Sequence, residues 1–115
     1  YVLEQLSQRR IAYIHLIEPR SSGAGGGDSI VENVPDTAEL FRAAFKGALL
    51  SAGGYAADTA KQVVASGLAD AVAFGRFFIS NPDLPRKIKE GIPFTSYDRS
   101  TFYGGGEKGY TDYPL

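Results

Sequence analysis

ALLSAGGY, residues 48–55, is the stretch on which the fold turns. Five residues without a charge and then paired glycines describe a short buried strand ending in a sharp turn. Ala60, Val63, Val64 and Leu68 follow at helical spacing, with Gly67 near the C-terminal end of that helix. A strand that turns directly into a helix is half of a βαβ unit, and the flanking sequence carries the matching halves.

Downstream, a third strand is predicted over Ala71 to Phe74. Gly75 and Arg76 then lead through Phe77, Phe78 and Ile79 to Asn81 and Pro82, a favourable cap and first-turn pair for a last helix ending near Gly91. Upstream, Asp36 with Glu39 three residues later has the form of a capping box. Leu40, Phe41, Ala44 and Phe45 give that helix its expected buried stripe, and Gly47 stops it. Before it, AYIHLIE at 12–18 is nearly continuous in apolar residues, as expected for a strand covered on both faces, and Pro19 ends it. Val2, Leu3 and Leu6 mark one face of an opening helix.

The predicted fold class is therefore α/β, with three parallel strands separated by helices in one unit over residues 1–115. Two architectures satisfy that order. One is a small open sheet; the other is the last part of a barrel whose earlier strands lie on another piece of chain. The opening at Tyr1, directly inside an amphipathic pattern, suits a fragment.

Residues 20–35 hold few apolar side chains and the glycines from Gly23 to Gly27, and a mobile loop is expected there. That run lacks a following Lys-Ser or Lys-Thr and is not placed as a dinucleotide fingerprint, so neither nucleotide motif applies. Residues 94–115 form a tail rich in aromatics and glycine. Its density of rings calls for something flat or apolar to cover, either the outside of the fold or an aromatic ligand.

Composition excludes several function classes. Twelve Lys and Arg against 13 Asp and Glu leave no basic field for nucleic acid or an anionic membrane. No cysteine excludes disulfides, thiolate metal ligands and a cysteine nucleophile, and one histidine excludes a His-rich metal site. Apolar runs fall short of a membrane span and the N-terminus lacks the order of a secretory leader, so a cytoplasmic location is expected.

The candidate chemistry sits where strands end. In βα folds ligands bind beyond the carboxyl ends of strands, and barrels often hold a phosphate at the loops after their last two strands. Gly53 and Gly54 end one strand, and Gly75 with Arg76 ends the next. Glycine lets backbone N–H groups approach phosphate oxygens, and an arginine adds charge-assisted hydrogen bonds. His15, inside a strand, is expected to be a hydrogen-bonded core residue. Glu18 and Arg20, flanking Pro19, are expected to form an ion pair. Asp98, Arg99 and Asp112 are expected to serve the tail's local hydrogen bonding.

IHLIEPR at 14–20, SAGGY at 51–55, FGRFFISNPDLPRKIKEGIP at 74–93 and YDRSTFYGGGEKGYTDYP at 97–114 together resemble the old yellow enzyme family, in the family's order and over essentially the whole chain. The resemblance implies strands 6 to 8 of a TIM (β/α)8 barrel carrying FMN, reduced by NADPH or NADH, with hydride passed to an activated alkene such as an enone. By position it implies that Gly53, Gly54, Gly75 and Arg76 bind the FMN phosphate, that Phe102 packs near the flavin ring and that Tyr103 faces the substrate. No catalytic residue and no metal ligand is assigned within these 115 residues. The family's proton-donating tyrosine and paired substrate-binding residues belong to earlier strands, so activity would require a complementary N-terminal part or chain. Two alternatives stand beside this: a non-catalytic α/β module without flavin, and a relative redirected to isomerisation or aldehyde reduction.

Overall fold

Apolar runs of three to five residues, each entered from a helix and left through a polar or glycine turn, give the parallel strands that the pattern predicts. The computed structural model describes residues 1–21 and 30–115. The elements are α1 (Val2–Gln8), β1 (Tyr13–Ile17), α2 (Thr37–Arg42), β2 (Ala48–Ala52), α3 (Ala57–Ala65), β3 (Ala71–Ala73), α4 (Arg76–Ser80) and α5 (Leu84–Glu90), with a 3-10 turn at Arg99–Thr101. The Gly23 to Gly27 stretch lies outside the described residues. Two compact units result, Tyr1–Ala73 and Phe74–Leu115.

In the first unit the described strands form one parallel sheet in the order β1-β2-β3. Ile17 pairs with Ala52 and Ala52 with Ala73, so all three strands end at one edge in register. Helix α2 packs on β1 and β2, and α3 on β3. Ile14, Ala38, Phe45, Leu49, Ala60, Val63 and Ala69 make the core between these layers. Full burial of a side chain the size of Phe45 or Leu49 contributes roughly 2–3 kcal/mol.

Among the described residues of this unit only one face of the sheet is covered. Tyr13, His15 and Ile17 point to the other face and are exposed, so β1 does not have the two-sided cover expected of it and His15 is not a core residue here. The apolar content of the strand and its alternating burial coexist because the helices of this unit that pack on the sheet, α2 and α3, lie against its buried side. The same distinction applies on α2. Ala38 and Phe45 are buried, whereas Leu40 is 60% exposed and Phe41 38%, so the predicted stripe is half filled.

Polar groups close the sheet's other end. The Asp70 carboxylate accepts from the Leu49 N–H and from Arg42 Nη1, each at 2.8 Å, while the Asp70 N–H donates to the Leu49 carbonyl at 2.8 Å. The Leu49 N–H, and then Arg42, hold the Asp70 carboxyl below its ordinary pKa. Arg42 also donates to the carbonyls of Phe45 and Gly47, which ties the α2–β2 connection into a closed turn.

The second unit uses less apolar burial. Phe77, Phe78 and Ile79 lie in the short helix α4, and Asp83 holds the N-cap position of α5 expected of Asn81, which stands instead at the C-terminal end of α4. Its side chain is fully buried and holds the chain crossing: Nδ2 donates to the carbonyls of Phe77 (2.8 Å) and Thr95 (3.0 Å) and to Ser80 Oγ (3.0 Å). Its Oδ1 accepts from Lys87 Nζ (2.9 Å) and the Thr95 N–H (2.8 Å). Two N–H hydrogens shared among three acceptors, and an oxygen that accepts twice, let one amide fix two helices against the extended segment at Thr95. Beyond it, rings pack in sequence, Phe94 on Phe77, Phe77 on Tyr97, Tyr97 on Phe102 and Phe102 on Tyr103, with centroids 5.2 to 6.0 Å apart.

Candidate functional site

The C-terminal edge of the sheet carries the densest polar construction in the first unit. β1 runs straight into Glu18, whose N–H extends the ladder to the Ala52 carbonyl at 2.7 Å. That bond turns the Glu18 side chain inward, and it is fully buried. Its carboxylate accepts from Ser51 Oγ (2.6 Å), the Thr37 N–H (2.6 Å) and the Ala38 N–H (3.2 Å). Tyr55 Oη donates in turn to Ser51 Oγ at 2.9 Å.

Burial by itself would push the Glu18 carboxyl up in pKa. Donation from Ser51 and from the Thr37 and Ala38 N–H groups outweighs it, so the carboxyl titrates below its usual value and is an anion at neutral pH. Its location explains the donors: the first N–H groups of α2 have no partner within the helix and carry positive potential. The capping box expected from Asp36 and Glu39 is not formed. Asp36 makes no side-chain cap, and its carboxylate pairs with Arg20 instead. Glu18 and Arg20 are thus not each other's partners, because each turns to a separate group near the start of α2.

Arg20 lies across the next turn. Its Nε–H donates to the Gly53 carbonyl at 3.3 Å, its Nη1 meets Asp36, and its Cζ stands 4.4 Å from the centre of the Tyr55 ring. Gly53 and Gly54 both occupy the left-handed region, at φ 101° and 69°. A Cβ on Gly54 would come within 3.2 Å of Arg20 Nε and 3.0 Å of Ile30 Cδ1, so the turn is closed to larger residues by both conformation and space. The predicted strand-to-helix turn at residues 53–55 therefore exists and is clamped from one side. An open groove of about 420 Å³ runs beside it, lined by Arg20, Asp36, Tyr55, Thr59 and Gln62 among others.

The remaining predicted site residues belong to the second unit. Gly75 precedes α4 and Arg76 is its first residue. Phe102 and Tyr103 follow the 3-10 turn, their rings edge to face at 6.0 Å, and Tyr103 is 81% exposed. The tail is pinned by local bonds of the kind expected: Asp98 accepts from the N–H and Oγ of Ser100, Asp112 accepts from the Gly109 N–H, and Tyr113 Oη accepts from the Asp98 N–H. Among the described residues no three His, Asp or Glu side chains gather as a metal site, and no helix is long and apolar enough to cross a membrane.

Sequence reasoning did not anticipate the Glu18–Ser51–Tyr55 network or the Asn81 crossing. The available signal was a hydroxyl inside an otherwise apolar strand, at Ser51, next in the fold to a carboxylate at the end of its neighbour.

Comparisons with known proteins bear on both units. The family model described as NADH:flavin oxidoreductase / NADH oxidase matches residues 2–95. The flavin oxidoreductase hxnT of Emericella nidulans is 45% identical over 92% of this chain and 30% of its own length. The 12-oxophytodienoate reductase 2 of Arabidopsis thaliana is 42% identical over 99% of the chain and 30% of its own. Among solved structures, morphinone reductase superposes with a TM-score of 0.79 at 45% identity, covering 99% of this chain and 29% of that one. The old yellow enzyme homologue from Zymomonas mobilis gives 0.82 at 40%, covering 98% and 31%. The chain spans about 30% of the length of these relatives.

Proposed function

Because this chain belongs to the NADH:flavin oxidoreductase / NADH oxidase family and has the fold of the C-terminal part of an old yellow enzyme TIM barrel, we propose that it supplies the phosphate-binding end of an FMN-dependent ene-reductase. The observation that carries this is the left-handed Gly53-Gly54 turn at the C-terminal edge of the sheet in the first unit, directly after β2. In the sequence Gly75-Arg76 follows β3, the register partner of β2, with Phe74 alone between them.

The residues fit a phosphate. Gly53 and Gly54 carry no side chain of their own, and their left-handed backbone turns successive peptide groups as anion-binding turns do. Gly75 supports the same reading from another direction. Among the described residues an added Cβ there would meet nothing within 4 Å, so its backbone is open to the approach of a ligand. Arg76 supplies the fixed charge and the planar set of donors that a phosphate takes.

When bound, FMN supplies the hydride carrier, taking hydride from NADPH or NADH and giving it to the β-carbon of an activated alkene such as an α,β-unsaturated carbonyl. The chain's own part is to hold and shape. Phe102, braced on Tyr97, offers a ring face to the flavin, and the exposed Tyr103 hydroxyl offers a hydrogen bond to substrate. The uncovered sheet face with Tyr13, His15 and Ile17 packs against the earlier strands of the same barrel, carried on a complementary N-terminal part or chain.

Native mass spectrometry of the purified protein tests the proposal, since it reads polypeptide content and flavin mass in one spectrum. One FMN per complete barrel, lost on Arg76→Ala, is the expected result. Absence of flavin from every species after incubation with excess FMN would remove the proposal.

A further inference from the structure

We propose that Arg20 is a positioning residue for the phosphate-binding turn: by holding the Gly53 carbonyl it sets the direction in which the Gly54 N–H is presented. The inference rests on the phosphate role assigned above to Gly53 and Gly54.

Geometry makes the case. A trans peptide is planar, so its carbonyl and the following N–H point to opposite sides. Arg20 Nε–H takes the Gly53 carbonyl at 3.3 Å, and the Gly54 N–H of that same peptide is thereby aimed away from Arg20. A turn of two adjacent glycines, both left-handed, has little torsional preference of its own, so an outside hold decides its orientation. Arg20 is well built for that task. Its guanidinium is fixed at three places, by Asp36, by the Tyr55 ring at 4.4 Å and by the Gly53 carbonyl.

The clamp is itself anchored. Asp36 directly precedes α2, whose Thr37 and Ala38 N–H groups are held by Glu18. Tyr55 is held through its hydroxyl to Ser51, which donates to the same Glu18 carboxylate. Both surfaces that fix the guanidinium therefore trace back to one buried anion two residues before Arg20. With Asp36 neutralising its charge, Arg20 acts through shape and direction rather than through long-range attraction to a phosphate.

This separates Arg20 from a direct phosphate ligand and from a merely structural residue. The intact protein is stripped of flavin, and dissociation constants are measured for FMN and for riboflavin, which lacks the phosphate. Arg20→Gln and Arg20→Lys are both expected to weaken FMN by about tenfold while riboflavin changes by less than about twofold, since a positioned N–H to an anion is lost and the ring contacts are not. Lysine keeps the charge but cannot lie on Tyr55 and hold the carbonyl together, so failure of Lys to restore the preference supports positioning.

Full retention of FMN preference in Arg20→Lys would overturn it in favour of simple charge. Equal loss of FMN and riboflavin in both variants would overturn it in favour of general stability. If the unmodified protein shows no preference for FMN over riboflavin, the phosphate assignment falls and this inference with it. If that preference exists and Arg76→Ala abolishes it while both Arg20 variants keep it, only the positioning claim falls.

Discussion

Two buried polar centres organise this chain, and they work on opposite principles. In the first unit an anion, Glu18, is surrounded by three donors from two elements, α2 and β2, and sits beside a full apolar core. In the second unit a neutral amide, Asn81, serves as donor and acceptor at once, and Leu84 is the one fully buried apolar side chain there among the described residues. The difference follows from what each must join. A helix start offers only donors, and the Ser51 hydroxyl, already accepting from Tyr55, has its own proton to give, which an anion satisfies; a chain crossing offers carbonyls and N–H groups together, which an amide satisfies.

That contrast fails first at Glu18 if it is wrong. Glu18→Ala should cost roughly 3 kcal/mol of stability in the intact protein, seen as a lower urea midpoint, because the Thr37 and Ala38 N–H groups and Ser51 lose their acceptor in a buried place. A charge-based role also has a pH signature. The folded-state pKa of Glu18 is depressed, so its contribution is complete above the unfolded carboxyl pKa and is lost as pH falls through the folded value. Acid titration of the urea midpoint should therefore be shallower in Glu18→Gln than in the parent; identical acid slopes would deny that the group is a stabilised anion.

At the second centre a charge should not help. Asn81→Asp places a carboxylate beside Lys87, yet it removes the donor to Phe77, Ser80 and Thr95, and a net loss of roughly 2 kcal/mol is expected in the same denaturation assay. A gain in stability would mean that the Lys87 contact, rather than two-way hydrogen bonding, dominates this unit.

The smallest expected effect sharpens how far the first network extends. Tyr55→Phe deletes only the donor to Ser51 and keeps the ring under Arg20, so about 1 kcal/mol should be lost, with a smaller drop in FMN preference than in either Arg20 variant. A drop as large as in the Arg20 variants would show that the hydroxyl, more than the ring face, steadies the arginine.

The strand and turn signals were readable because they are local. Residues 48–52 are a strand as predicted, the turn at Gly53 and Gly54 is left-handed, and the expected strand at residues 71–74 is present over Ala71–Ala73. What local signals could not show is which polar group wins a helix start. Asp36 and Glu39 stand at capping spacing, yet the N–H groups go to Glu18, some twenty residues earlier in the chain. Asn81 and Pro82 likewise carry a cap signature, but the apolar triplet at residues 77–79 makes its own helical turn and Asn81 is taken up by Thr95, fourteen residues on. Exposure differs from the pattern for a related reason. Tyr13, His15, Ile17 and Leu40 look like core residues, and among the described residues they are exposed.

The interior position of Lys87 has a further consequence for reactivity. Lys46, Lys61, Lys89 and Lys108 are exposed, whereas the Lys87 amine is enclosed by Asn81, Thr95 and Asp83. An acylating reagent in limited supply will mark the four outer amines at once and reach the fifth only when the Asn81 crossing opens. Peptide-resolved acylation at Lys87 thus serves as a clock for the breathing of residues 74–115, read without altering a single residue.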